Sequence, residues 1–99
     1  MGRGPVLKIN SKQRYATDAE GAALWARACA AAGVASQDFV SNNAMPCGTT
    51  IGPITAARLG IPTVDVGVPL LSMHSAREMS HIGDLHALSR ALEAYWRGA

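Results

Sequence analysis

A histidine beside a predicted helix start is the residue of this sequence with the clearest potential for chemistry. His74 comes directly before Ser75, and Glu78 lies three residues beyond that serine. This spacing predicts a capping box, in which serine and glutamate each accept a hydrogen bond from the other residue's free backbone N–H. A neutral imidazole in the turn before such a helix can point into a cleft at the strand ends and bind a metal ion. On spacing alone, a structural or surface histidine is the commoner case.

A glycine–threonine stretch offers a second candidate site. Gly48, Thr49 and Thr50 precede a helix predicted to begin at Ile51, with Pro53 in its first turn. Free backbone N–H groups and the positive end of the helix dipole can hold a substrate carboxylate or carbonyl at such a start. The threonines can equally do no more than cap the helix. The stretch lacks the Gly-Lys-Ser/Thr ending of a phosphate-binding P-loop, so a nucleotide is not the expected ligand.

The two cysteines favour a structural rather than a catalytic role. Cys47 and His74 could in principle form a thiol nucleophile and its base, but the residues that flank Cys47 match no signature of a cysteine enzyme. Cys29 lies in an alanine-rich helical run and is predicted to be a small buried apolar residue. Because nothing in this pattern requires a disulfide, a reducing, cytoplasmic location is expected.

Size and composition restrict the classes of protein to consider. The 99 residues suffice for one small domain, of which 48% are hydrophobic and 16% charged. Nine basic and seven acidic residues give a net charge of +2, and the basic residues are scattered. Because no aromatic residues are interleaved with them, we expect no nucleic-acid partner. No apolar run approaches the ~20 residues of a membrane span, so we expect no membrane segment.

Strands and helices are predicted to alternate along the chain. Asp18 can cap the first helix, Gly33 can end it, and Gly60 can end the second. Asp84 can cap the last helix, whose apolar residues recur at helical spacing and predict a core-facing stripe. The predicted elements are strand Val6–Ile9, a helix from Asp18 to Ala32, strand Asp38–Ser41, helix Ile51–Leu59, strand Thr63–Val68, and a last helix with the stripe Leu85, Leu88, Leu92, Tyr95 and Trp96.

This β-α-β-α-β-α order favours a layered α/β fold with at least some parallel strand pairing. Three short strands would leave sheet edges exposed if they formed the whole sheet. We therefore expect these elements to be one part of a larger sheet that is flanked by helices.

Five stretches of the sequence together carry a family resemblance: Gly4–Thr17, Met45–Ile54, Ala56–Gly60, Thr63–Pro69 and Ser72–Ser75. In order and spacing they resemble the C-terminal part of the aspartyl aminopeptidases, which are dinuclear zinc exopeptidases. The resemblance covers nearly the whole chain. It implies a three-layer zinc-peptidase fold, in which residues 1–99 would be the C-terminal β-α-β-α-β-α portion of the catalytic domain.

The resemblance also implies roles for individual residues. His74 matches the zinc-binding histidine of the family's Met-His-Ser-x-Arg-Glu motif, and imidazole nitrogen suits zinc well. Lys8 and Tyr15 match family positions that contact substrate. The lysine can donate to a substrate carboxylate, and the tyrosine can donate to the carbonyl oxygen as it gains negative charge. His81 and His86 match no ligand position. The family's other zinc ligands and its glutamate general base lie upstream, so no catalytic residue is expected here.

The function expected from the resemblance is a zinc-dependent aminopeptidase that removes N-terminal, preferably acidic, residues from peptides. This chain would supply one ligand, His74, to a two-zinc site, together with part of the substrate pocket. Alone it would be inactive, because a catalytic zinc normally takes three protein ligands. The family implies a homo-oligomer, a dodecamer. One alternative is a non-catalytic truncated relative that acts as an assembly or interaction module. Another is a small α/β protein that binds anions through the turn at Gly48–Ile51.

Overall fold

The computed structural model describes residues 1–9, 17–40 and 51–98. Within these ranges, strands and helices alternate in the predicted β-α-β-α-β-α order, which confirms the α/β class. The elements are β1 (Val6–Ile9), α1 (Ala19–Ala32), β2 (Gln37–Val40), α2 (Ile51–Leu59), β3 (Val66–Gly67) and α3 (Ile82–Trp96). No helix in the described ranges has the length and apolar character needed to cross a bilayer.

The three strands form a mixed sheet with β1 at its centre and the order β2-β1-β3. β1 pairs in parallel with β2 and antiparallel with β3, with Leu7 opposite both Asp38 and Val66. The third strand is much shorter than the predicted Thr63–Val68. At the start of the strand this follows from Asp65, whose backbone N–H donates to the Thr17 hydroxyl at 2.9 Å while its carbonyl still accepts from the Lys8 N–H.

Helix α1 begins and ends where its sequence predicts. The Asp18 carboxylate accepts a hydrogen bond from the backbone N–H of Gly21 at 2.7 Å, which satisfies a free donor of the first turn. Gly33 adopts a left-handed conformation with φ 69° and ends the helix. The Arg90 guanidinium of α3 donates to the Ala32 carbonyl at 2.6 Å, so the last turn of α1 is held against α3.

A small core lies where α1 and α3 pack against one face of β1. Leu7, Trp25, Cys29 and Ala91 form its buried centre. Cys29 is buried as predicted; burial raises the pKa of its thiol, while a hydrogen bond with Ser36 opposes that rise.

The predicted apolar stripe of α3 is only partly correct. Leu88 and Leu92 pack against the core. Leu85, Tyr95 and Trp96 are exposed. Leu85 and Trp96 lie beside the line of Leu88, Ala91 and Leu92 along which the core meets α3, and Tyr95 continues that line toward the end of the helix.

The start of α3 corrects another prediction, because Asp84 does not cap the helix. His81 is the N-cap, and its Nδ1 accepts from the backbone N–H of Gly83 at 2.9 Å. Asp84 is the third residue of the helix, in its first turn, and is 1% exposed. Its carboxylate accepts from the backbone N–H groups of Gly2 and Gly4 at 2.9 and 2.8 Å. The residue therefore joins α3 to the segment that leads into β1.

Large apolar side chains remain exposed on several parts of the chain. They occur on α2 and the turn after it, on the segment around His74, and at both ends of α3. Where such side chains are contiguous, they usually mark surfaces that contact other protein. The residues concerned include Ile54, Leu59, Ile61, Leu71, Met73, Met79, Ile82 and Trp96.

Candidate functional site

His74 lies in a short loop whose two ends are tied together. The backbone N–H of Leu71 donates to the Met79 carbonyl at 2.9 Å, and the N–H of Met79 donates back to the Leu71 carbonyl at 3.1 Å. This reciprocal pair is an antiparallel bridge. The chain between Leu71 and Met79 therefore reverses direction, and His74 is near the middle of the loop.

The predicted capping box at Ser75 and Glu78 is wrong, because no helix begins there. The N–H of Ser75 donates to the Ser72 carbonyl at 3.1 Å, and the Ser75 hydroxyl bonds to the N–H and carbonyl of Arg77 at 3.2 and 2.9 Å. Glu78 accepts from the N–H of His74, at 3.3 Å, rather than from the N–H of Ser75. Serine and glutamate thus stabilise a loop, and α3 begins only at Ile82.

The backbone of His74 has a conformation that is uncommon for a residue with a side chain. Its φ is 67°, in the left-handed region, and Ser72 in the same loop has φ 58°. The His74 residue is exposed. An exposed imidazole on a tied loop is accessible as a ligand to an ion held by other residues.

Lys8 occupies the central strand and is half-buried. Its backbone N–H donates to the Asp65 carbonyl at 2.9 Å, so its position is fixed by the sheet. The end of its side chain lies over Gly67: a Cβ at Gly67 would be 3.5 Å from the lysine Cε and 3.6 Å from Nζ. These distances are ordinary van der Waals contacts, so the lysine ammonium lies directly beside Gly67.

The other four predicted substrate-binding residues lie outside the described residues: Tyr15, Gly48, Thr49 and Thr50. Cys47 also lies outside them. Their predicted roles stay predictions.

The direction of β3 determines toward which end of the sheet the chain leaves β3 on its way to His74, relative to the position of Lys8. Lys8 lies toward the carboxyl end of β1, beside Asp65. The chain that continues to His74 leaves β3 from Gly67, which pairs with Val6 at the opposite end of β1. His74 does follow a strand, as predicted. Because that strand is antiparallel to β1, it does not carry the chain toward the carboxyl ends of the parallel pair, where α/β sites commonly lie.

The described residues do not form a metal site of three or more ligands. In residues 1–9, 17–40 and 51–98, no three His, Cys, Asp or Glu side chains are grouped so that they could hold a metal ion. A zinc ion with three protein ligands would therefore need donors besides those described.

A shallow groove of about 400 Å³ lies between the C-terminal ends of α1 and α3. Its charged side chains are those of Arg90, Glu93 and Arg97. Arg90 donates to the Ala32 carbonyl, and Arg97 forms an ion pair with Glu93 at 2.8 Å. These groups are already engaged with one another or with backbone. The groove is at the end of α3 opposite to the His74 loop and takes no part in the candidate site.

Comparison with protein families supports the interpretation of the sequence motifs. The family described as Aminopeptidase I zinc metalloprotease (M18) matches residues 1–96. The probable M18 family aminopeptidase 2 of Streptomyces coelicolor is 62% identical over 92 residues, which are 93% of this chain and 21% of that protein. The probable M18 family aminopeptidase 2 of Mycobacterium tuberculosis H37Rv is 54% identical over 95 residues, 96% of this chain and 22% of that protein.

Solved structures with a similar fold lead to the same family. A chain in the cryo-EM structure of the Ape4 and Nbr1 complex superposes with a TM-score of 0.93 and 41% identity, over 96% of this chain and 18% of that one. The S. cerevisiae mApe1 dodecamer matches with a TM-score of 0.80 and 28% identity, over 96% of this chain and 20% of that one. This chain spans about a fifth of the length of these relatives. It belongs to the M18 family of zinc aminopeptidases.

Proposed function

We propose that this chain contributes one zinc ligand and part of the substrate pocket to a zinc-dependent aminopeptidase that removes N-terminal, preferably acidic, residues from peptides. In this proposal, residues 1–99 form the C-terminal part of the catalytic domain. One observation carries the proposal: the imidazole of His74, which lies in the family's motif, is exposed on a loop closed by backbone hydrogen bonds, and the residue has a left-handed backbone conformation. Uncommon backbone conformations of this kind often occur at functional sites.

His74 fits the donor chemistry of zinc as one ligand of a larger set. Zinc binds imidazole nitrogen readily. A pair of bound zinc ions would polarise the scissile carbonyl and lower the pKa of the attacking water. The remaining ligands and the general base would come from residues other than those described. The role of this chain at the metal is therefore to supply and orient a single imidazole.

Lys8 is the residue that we propose to recognise an acidic N-terminal side chain. Its ammonium lies next to the backbone of Gly67, on a strand whose position is fixed on both sides by hydrogen bonds. A charged hydrogen bond from lysine to a substrate carboxylate contributes about 1.5–3 kcal/mol. Tyr15 would donate to the carbonyl oxygen as it gains charge. Gly48, Thr49 and Thr50 would present backbone N–H groups to a substrate carboxylate or carbonyl.

Assembly with other copies is supported by the exposed apolar side chains. Leu71, Met73 and Met79 are exposed on the His74 loop itself, and Trp96 is 76% exposed on α3. Burial of such surface against protein is favourable at about 25 cal/mol per Å². The solved mApe1 structure is a dodecamer. We propose a homo-oligomer in the cytoplasm, where the buried, free thiol of Cys29 would stay reduced.

A non-catalytic assembly or interaction module is the second candidate. The described residues hold no group of three metal-binding side chains, which favours a chain that does not bind metal by itself. Under this candidate, the apolar surfaces would serve assembly alone. Protein expressed from its native reading frame would then contain no zinc and would not release N-terminal residues from any peptide.

The test compares peptide hydrolysis by the protein expressed from its complete native reading frame with hydrolysis by two histidine variants of that protein. The substrates are matched peptides with N-terminal Asp, Glu, Ala or Leu, assayed before and after treatment with a zinc chelator. We expect zinc-dependent release of acidic residues that is lost in His74→Ala and kept in His86→Ala, whose exposed histidine lies on α3. Full activity of His74→Ala would contradict the proposed role of His74.

A further inference from the structure

We infer that Glu78 is a positioning residue for His74: its carboxylate holds the backbone of the histidine in the conformation that directs the imidazole. The inference rests on the proposed function, in which His74 is a zinc ligand. The contact that carries it is the hydrogen bond from the backbone N–H of His74 to Oε2 of Glu78, at 3.3 Å.

The conformation of His74 requires support from its surroundings. With φ 67°, the histidine occupies a region where a side chain crowds the backbone, and such residues persist only where neighbouring groups fix them. The value of φ also sets the direction of the Cα–Cβ bond, and hence where the imidazole can reach. A loss of the left-handed conformation would therefore move a ligand.

The other hydrogen bonds of the loop fix its ends and its centre but do not reach the N–H of His74. Leu71 and Met79 close the ends, while Ser75 bonds to Ser72 and Arg77. In the described part of the chain, the His74 N–H donates to the carboxylate of Glu78. Glu78 is thus placed to bias the loop toward the ligating geometry.

Helix capping does not explain the glutamate. Its predicted partner in a capping box, the N–H of Ser75, donates to the Ser72 carbonyl, and α3 begins four residues after Glu78, at Ile82. Glu78 is exposed, so packing does not explain it either. Its observed contact is with the proposed ligand.

The experiment measures metal binding in the natively expressed protein, independently of activity. Zinc affinity is measured by competition with a chromogenic chelator, and the geometry of the site by the visible absorption spectrum of the Co²⁺-substituted protein. Loss of a group that orients a ligand typically weakens metal affinity roughly 10- to 100-fold. We expect this loss and an altered Co²⁺ spectrum in Glu78→Ala. Glu78→Gln keeps an acceptor oxygen and should retain most of the affinity.

Two further variants separate the possible outcomes. Glu93→Ala removes an exposed glutamate from an ion pair on α3 and should leave zinc affinity and the spectrum unchanged. Wild-type affinity and spectrum in Glu78→Ala, together with metal loss in His74→Ala, would overturn the positioning role alone. Unchanged zinc binding in His74→Ala would overturn the proposed function itself. If Glu78→Ala does not fold, an affinity of Glu78→Gln as low as that of His74→Ala would count against positioning by hydrogen bonding.

Discussion

The carboxylate of Asp84 accepts a hydrogen bond from the backbone N–H of Gly4 at 2.8 Å, across 80 positions of sequence. A second bond, from the N–H of Gly2, reaches the other oxygen at 2.9 Å. Asp84 is in the first turn of α3, and Gly4 lies just before β1. This contact therefore joins the first strand to the last helix.

Ionisation of Asp84 should make the stability of the fold depend on pH in the acidic range. The hydrogen bond from Gly2 lowers its pKa, burial opposes that effect, and the bond from Gly4 lowers it further, below the ordinary value of 3.8. A lowered folded-state pKa gives stability that is present above the unfolded pKa and is lost as pH falls through the folded pKa. Asp84→Asn should therefore be less stable at neutral pH, with a deficit that shrinks below pH 3.8. Thermal midpoints measured across this range test the expectation.

The control for this titration is Asp38→Asn, which changes an exposed aspartate on β2. Its midpoints should parallel those of the wild type at every pH. A deficit in Asp84→Asn that stays constant as pH falls would show that the ionised carboxylate is not the group responsible.

Gly4→Ala should be much more destabilising than Gly98→Ala, although the two glycines have nearly the same φ. Their φ values are 95° and 94°. A Cβ at Gly4 would collide with the carbonyl oxygen of Ala35, whereas a Cβ at Gly98 meets nothing within 4 Å. Both variants carry backbone strain of about 1–3 kcal/mol. Denaturant unfolding gives the free energy of unfolding of each variant, and the extra loss in Gly4→Ala measures the cost of the collision. Equal losses in the two variants would contradict this packing.

Trp25 should be a principal contributor to stability in α1. It is 5% exposed, and its Nε1 donates to the Ser36 hydroxyl at 3.0 Å. Trp25→Ala should cost about 3–5 kcal/mol of unfolding free energy, the range for large aromatic residues removed from a core. Arg27→Ala on the exposed side of the same helix should change stability by less than about 0.5 kcal/mol. Similar losses in the two variants would be incompatible with the core described above.

Local signals predicted much of this fold, and contacts distant in sequence account for the errors. Asp18 and Gly33 mark the ends of α1 correctly, because caps depend on residues a few positions apart. The spacing of Ser75 and Glu78 is equally compatible with a helix cap and with a tied loop. The pairing of Leu71 with Met79 decides between them.

Asp84 shows the same limit at longer range. An aspartate near a helix start usually caps it, but here the donors are backbone groups at the other end of the chain. The residues next to Asp84 in the sequence do not indicate that its partners lie so far away along the chain. For the site, the motif identified His74 as a candidate, whereas the support from Glu78 depends on the φ of the histidine, which is visible only in the structure.

Lys8 should determine the preference for acidic substrates. Lys8→Met removes the charge but keeps a long side chain over Gly67, and Lys8→Arg keeps the charge. We expect Lys8→Met to lower kcat/KM for N-terminal Asp and Glu peptides roughly 10- to 100-fold, the value of a charged hydrogen bond. Cleavage of neutral N-terminal residues should change little. If Lys8→Met slows acidic and neutral substrates equally, the lysine does not select the acidic side chain.

Zinc binding by His74 can be measured by native mass spectrometry of the protein expressed from its complete native reading frame. Wild type and His86→Ala should each carry zinc at the same stoichiometry per chain, and His74→Ala should carry less while keeping its oligomeric state. An equal zinc content in all three proteins would contradict the account, because the metal site would then be complete without His74.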